Sequence, residues 1–190
     1  MTRSHIVAVD PAQAGRLLNF GGTVLVSAEH DGKTDMMPAS WNAPLDFNKA
    51  TVVIDRTHYP RELMDASDCF ALGVAGAGHL PELMRLGSVS KHDDPEKLEK
   101  SRMKFFTMPG WKMPLAEGCL AWVIVRKLPE CAEMAAKYDL FLGEIVAAWA
   151  DDRVFADGNW TIPAEERSLR TTHYISGGRF HVLGDLVEIE

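Results

Sequence analysis

Three stretches of the 190-residue chain gather side chains that could hold a small polar ligand. Met36-Met-Pro-Ala-Ser-Trp-Asn-Ala-Pro44 turns from a strand-like run into a Pro-bounded segment bearing a hydroxyl, an indole and an amide. Extended backbone of this kind can meet the polar edge of a planar heteroaromatic ligand while an apolar wall covers its face. The alternative is a strand end with Trp41 plugging the core. Asp55-Arg-Thr-His-Tyr-Pro-Arg61 closes one run and opens a helix at Pro60. Amide donors at a helix start, the Thr57 hydroxyl and the guanidinium of Arg56 or Arg61 would together suit a phosphate, although the same residues also describe an exposed corner with solvated arginines. Gly87-Ser-Val-Ser-Lys-His92 again collects hydroxyls and a cation, in a loop flanked by glycine.

Other chemistry is poorly furnished. The seven histidines, at 5, 30, 58, 79, 92, 173 and 181, include no i, i+4 pair and no H-E-x-x-H, so a zinc hydrolase has little support. His92-Asp93-Asp94 reads as the cap of a following helix rather than as a seat for a hard cation. There is no G-x-S-x-G elbow, and Ser40 has no local base. Gly73-Val-Ala-Gly-Ala-Gly78 lies after a strand and before a helix, but Pro81 falls where the third glycine of a dinucleotide fingerprint belongs.

The elements that must position these stretches are mostly strands. Thr23 to Glu29 and Thr34 to Met37 flank Asp31-Gly32, the signature of a hairpin. Further β-branched or aromatic runs cover 50–55, 69–74, 119–125, 139–149 and 179–183, while helices are expected over 60–66, 79–86 and 94–105. The pattern predicts a mainly β, antiparallel barrel with small helices at its rims, formed by one domain over 1–190. Composition agrees with a folded domain: 46% of residues are hydrophobic and 25% charged. A net charge of −7 without a basic tract argues against nucleic acid. Three scattered cysteines argue against a disulfide framework and suit the reducing cytoplasm. The longest apolar run, Cys119 to Val125, is too short to span a membrane, and no signal peptide is expected.

Taken in order, the three stretches resemble the flavin reductase-like family, the FMN-binding split β-barrel group that includes flavoredoxins and reductase components of two-component monooxygenases. The likeness runs through Met37-Pro-Ala-Ser-Trp-Asn-Ala-Pro44, Val52-Val-Ile-Asp-Arg-Thr-His58, Phe70-Ala-Leu-Gly-Val74, Leu86-Gly-Ser-Val-Ser-Lys91, Pro114-Leu-Ala-Glu117, Phe141-Leu-Gly-Glu-Ile-Val146 and Tyr174-Ile-Ser-Gly-Gly-Arg-Phe180. It implies a Greek-key split barrel in which Met37, Ala39, Ser40, Trp41 and Asn42 line the flavin ring and ribityl chain. It further implies that Arg56, Thr57 and His58 handle the phosphate and that Ser90 and Lys91 belong to a loop closing over the flavin. FMN is then the cofactor, NAD(P)H the hydride donor, and flavin or another acceptor the destination of the electrons. A homodimer is implied as well. The family often carries an Asp-His pair before the strand that resembles Phe141 to Val146, with the histidine near the nicotinamide; here the residues are Lys137-Tyr138-Asp139. That departure keeps open a second role, an FMN-holding electron carrier reduced by a partner protein. No metal and no catalytic side chain are implied.

Overall fold

The computed structural model describes residues 3–187 and 189. In chain order the elements are β1 (Ile6–Val9), β2 (Val24–His30), β3 (Lys33–Ala39), β4 (Asn42–Asp46), β5 (Lys49–Val53), α1 (Tyr59–Ala66), β6 (Cys69–Ala75), α2 (Leu80–Ser88), α3 (Lys97–Lys100), β7 (Phe105–Phe106), β8 (Leu115–Ala116), β9 (Cys119–Lys127), α4 (Ala132–Tyr138), β10 (Leu140–Asp151), β11 (Phe155–Ala156), β12 (Asn159–Trp160), β13 (Thr172–Ser176) and β14 (Arg179–Val182). Among the described residues no helix is long and apolar enough to cross a membrane.

One antiparallel sheet organises the chain, in the order β3-β2-β6-β9-β10-β5-β4, with β1 added to β10. The β2–β3 hairpin turns at Asp31 (φ 50°) and Gly32 (φ 77°), a pair of left-handed residues that matches the twist of the strands they join. β3 and β4 stand at opposite ends of the order, yet only Ser40 and Trp41 connect them. Six strand spacings laid flat would separate these edges by about 29 Å, whereas the link from Ala39 to Asn42 spans at most about 11 Å. The sheet therefore curls.

Period-two alternation then sorts the side chains. Val24, Val26, Ala28, Phe70, Leu72, Val74, Ala121, Val123 and Val125 enter the inner cluster, which Ile54, Leu63 and Met64 complete. Leu25, Ala71, Ala75, Trp122 and Ile124 face the other way and are covered by α2 and by Met103 to Ala116. That covering segment is pinned by hydrogen bonds from Trp122 Nε1 to the Ala116 carbonyl (3.0 Å) and from Ser27 Oγ to the Pro114 carbonyl (2.6 Å). Burial on both faces explains why β9 reads as an unbroken apolar run. Gly73 in β6 is required by this packing, since a Cβ there would stand 2.8 Å from Cys119 Sγ.

One expectation needs correction. The helix read over 94–105 is one turn, Lys97–Lys100, because the Ser101 hydroxyl takes the Leu98 carbonyl and Arg102 turns to φ 63°. Phe105 and Phe106 then form β7 against β8. The turn of 3-10 helix at Pro11–Leu18, capped by Asp10, and helix α4 carried weak sequence signals, being short and only partly apolar.

β10 ends on Asp151, which is buried and accepts from the backbone NH and Nε of Arg153 on Oδ1 (3.0 and 2.9 Å) and from Nη2 on Oδ2 (2.5 Å). Burial acts to raise its pKa, but the hydrogen bonds and charge of Arg153 outweigh it and hold the carboxyl below its ordinary value of 3.8. A depressed carboxyl pKa contributes stability that is present above the unfolded value and lost as pH falls through the folded one. Asp151→Asn should lower the unfolding free energy by about 2 kcal/mol at pH 7. Urea titrations of both proteins should show this gap closing below the ordinary carboxyl value; a gap independent of pH would contradict the assignment.

Candidate functional site

At the C-terminal end of β3 the sheet edge, the start of α1 and the end of α2 enclose a cleft of about 360 Å³. Met37, Pro38, Ala39 and Ser40 form one wall, His58, Tyr59 and Pro60 a second, and Leu83, Met84 and Leu86 to Ser90 the third, with Thr23 and Tyr174 at its margin. The walls meet because Gly87 lets the last turn of α2 close on β3: a Cβ there would lie 2.7 Å from Pro38 Cγ. Tyr174 is steadied by Phe180, with ring centroids 5.2 Å apart, and its backbone NH donates to Thr23 Oγ1 (3.0 Å). The cleft is mostly apolar, with hydroxyls from Ser40, Ser88, Ser90 and Tyr174 and one imidazole, His58, on its surface. No Lys, Arg, Asp or Glu side chain lines it.

Of the residues expected to hold a ligand, Met37, Ala39, Ser40, His58 and Ser90 come together in this cleft, whereas Trp41, Asn42, Arg56, Thr57 and Lys91 do not. Trp41 is 73% exposed and plugs no core, contrary to the alternative its type suggested. Asn42 turns its amide to the Gly22 carbonyl (2.8 Å) and leaves Oδ1 buried without a partner. Thr57 gives both its NH and its hydroxyl proton to Asp55 Oδ1 (2.8 and 2.7 Å). These bonds, the hydroxyl's first, lower the Asp55 pKa and keep an anion at the corner. Arg56 donates to the Ala136 carbonyl (3.3 Å) and lies 3.7 Å from Asp139. Lys91 donates to the Thr34 carbonyl (2.5 Å). Sequence reasoning gave no ligand role to Thr23, Tyr59, Leu83, Met84 or Tyr174 of the cleft. Tyr174 opens a stretch that carried the family likeness, and Leu83 and Met84 read only as the apolar side of a helix.

Arg61, considered for phosphate, is instead a buried structural tie. Its Nε meets both oxygens of Asp65 (3.0 and 2.9 Å), Nη1 meets the Ile54 carbonyl (2.9 Å) and Asp139 Oδ1 (2.7 Å), and Nη2 meets the Ala135 carbonyl (2.9 Å). The guanidinium also lies over the Phe141 ring at 4.8 Å. Asp139, left-handed at φ 58°, ends α4 and carries this pairing, so the position flagged as a departure from the family is committed to joining α4 to α1. His92-Asp93-Asp94 forms a turn in which Asp94 accepts from Lys100 and from the Glu96 NH. His5, Asp151 and Asp152 bring ligand atoms within 4.8 Å of one another, but both Asp151 oxygens are occupied by Arg153.

No family model matches the chain. It is 32% identical over 189 residues to the uncharacterized protein YddH of Escherichia coli K12, covering 97% of this chain and 98% of that protein. Among solved structures, an FMN-binding domain of a flavin reductases-like enzyme from Shewanella baltica is 39% identical, covers 97% of both chains and superposes with a TM-score of 0.91. The flavoredoxin of Methanosarcina acetivorans shares the fold at 17% identity, with a TM-score of 0.68 over 88% of this chain and 87% of that one. The curled antiparallel sheet is thus similar in fold to the FMN-binding split barrels. The chain belongs to the flavin reductase-like family of that class.

The Arg61 tie yields a stability prediction. Breaking a buried, hydrogen-bonded ion pair on one side leaves the remaining carbonyls and carboxylates unmatched. Arg61→Met should lower the unfolding free energy by about 3 kcal/mol, read as a shift of the urea midpoint; an unchanged midpoint would return Arg61 to the list of ligand-binding candidates.

Proposed function

We propose that the cleft binds FMN and that the protein is a flavin-dependent oxidoreductase, reducing flavin with NAD(P)H and passing the electrons to free flavin or another acceptor. The observation that carries this reading is the cleft itself, an apolar slot with a polar rim at the β3 edge, in a chain 39% identical to a protein described as an FMN-binding domain. Its volume lies within the range of small-ligand sites, and its donor set suits a planar, uncharged ring with a polar tail. A bound flavin supplies a two-electron acceptor for hydride from a reduced nicotinamide. The residues of this chain bind and orient. Met37, Leu83, Met84 and Leu86 offer apolar cover for a ring, Ser40 a hydroxyl for its polar edge, and His58 and Ser90 donors for a phosphate. Such positioning needs no protein nucleophile, in keeping with the absence of nucleophilic motifs.

A second reading, an FMN-holding carrier reduced by a partner protein, is favoured by one observation: Asp139 is held by Arg61, and no histidine stands at 137–139. We further propose a homodimer, for which Trp41, Leu45 and Phe47, all more than half exposed along edge strand β4 and its flanks, would provide apolar contact area. A cytoplasmic location remains part of the proposal.

Absorbance spectra of the purified protein with FMN, before and after NADH or NADPH under anaerobic conditions, test the role. Bleaching of the flavin bands at a rate above that of free FMN is the expected result. Bands that persist with both nucleotides would overturn direct nicotinamide oxidation and leave the carrier.

Phosphate recognition is tested by titrating FMN and riboflavin in parallel. Charge-assisted hydrogen bonds are worth about 1.5–3 kcal/mol, so His58→Ala should weaken FMN by roughly tenfold or more and riboflavin far less. Arg56→Ala, outside the cleft, should leave both ligands within about threefold, the range of a screened surface charge. Selective loss of FMN on Arg56→Ala would instead assign the phosphate to the Asp55–Arg61 corner.

A further inference from the structure

The third wall of the cleft is carried by the segment after α2. Residues 88–97 leave the helix end, turn through Ser90, whose carbonyl accepts from the Asp93 and Asp94 amides, and enter α3. Three contacts hold this segment like a strap across the other two walls. Lys91 Nζ donates to the Thr34 carbonyl of β3 (2.5 Å). His92 Nε2 lies 3.1 Å from Glu62 of α1, and its ring meets the edge of Tyr59 at 5.0 Å. Lys97 Nζ meets Asp35 Oδ2 of β3 at 2.9 Å.

The third contact differs in kind from the others. The side chains of Lys97 and Asp35 are 3% and 0% exposed, and Asp35 Oδ1 is buried with no partner at all. Burial pushes the Lys97 ammonium below its ordinary pKa, with the Asp35 charge acting in the opposite direction. A surface contact such as His92–Glu62 is worth little and is screened by salt. A buried ion pair is a poor source of net stability, because an apolar pair of similar volume commonly serves as well or better. What an ion pair adds is direction: one ammonium must face one carboxylate oxygen, whereas apolar side chains slide. Asp35 lies two residues before Met37, the first cleft residue of β3, and Lys97 terminates the segment bearing Ser88 and Ser90.

We propose that Lys97 is a positioning residue for the flavin site, its buried pair with Asp35 fixing the 88–97 strap in register with β3 and so setting the width of the cleft. The proposal rests on the flavin reading of the cleft, but its structural half can be tested without flavin. The Asp35→Leu/Lys97→Met double variant removes both charges and keeps apolar bulk. Its urea midpoint should stay at or above that of the parent, while amides 88–93 of the flavin-free protein should exchange with deuterium faster than in the parent. Where a binding-competent arrangement is populated only a fraction of the time, apparent affinity falls by that fraction. Riboflavin and FMN should therefore both weaken, by roughly the same factor of about ten, which separates strap positioning from phosphate recognition.

Parent-like exchange at 88–93 in a folded double variant would overturn the proposal and leave the pair as ordinary core. Should the double variant not fold, Asp35→Asn removes one charge with little change in volume, and the same exchange comparison decides. If the parent binds neither flavin, the flavin reading falls, while exchange still reports whether Lys97 positions the strap.

Discussion

From Cys119 to Val125 the strand β9 has no face left for water, and much of the architecture follows from that constraint. Ala121, Val123 and Val125 point into the curled sheet and Trp122 and Ile124 point out of it, so the outer face needs a cover as much as the inner face needs a core. Fully burying side chains of this size is worth about 1.5–3 kcal/mol each, far more than any surface ion pair in the molecule. The cover is supplied by α2 and the 103–116 segment, whose Leu83, Leu86, Met103, Phe106, Met113 and Leu115 are all buried. The cleft is a product of this arrangement: where α2 runs out over the β3 edge, at Gly87, the covering layer and the sheet leave a slot between them.

Charged groups refine what apolar burial assembles. Arg61 reaches from α1 to the end of α4 and to the backbone after β5, so one guanidinium aligns three elements on the side of α1 away from the cleft. On the cleft side, α1 presents His58, Tyr59 and Pro60. The helix therefore commits the Arg61 guanidinium to structural ion pairs and lends the cleft His58, Tyr59 and Pro60. The separation makes physical sense, because a cation already neutralised by Asp65 and Asp139 would have little left to offer an anion.

Much of this was legible in the sequence, for identifiable reasons. Strands with strict alternation or continuous β-branched runs, such as Val24 to His30 and Cys119 to Val125, announce themselves because the side-chain period is a local property. The Asp31-Gly32 turn is equally local. What failed locally was the 94–105 helix, where a Ser101 hydroxyl and a left-handed Arg102 stop the helix after one turn. Met37, Ala39, Ser40, His58 and Ser90, which the structure brings to one cleft, could be singled out because they sit in compact motifs beside strand and helix ends. Arg61 could not be placed, since its partners Ala135 and Asp139 arrive from a helix more than seventy residues away. Tyr174 and Thr23 escaped for the same reason, as did the exposure of Trp41, which depends on how the two sheet edges meet.

The two-residue link between β3 and β4 also bears on how the molecule comes into being. These neighbours in sequence occupy opposite ends of the sheet, and three of the five strands between them, β6, β9 and β10, are made after both hairpins. During synthesis the first five strands can offer only the β2–β3 and β4–β5 hairpins, and an isolated two-stranded hairpin is marginally stable in water. Closing the order must wait for β10, whose last residue is Asp151, so pairing is long-range and slow. The three walls of the cleft come from β3, α1 and the segment ending at Ser90, all made before β9, whereas Tyr174 at its margin is made after β10, so the cleft is complete only when the last strands are in place.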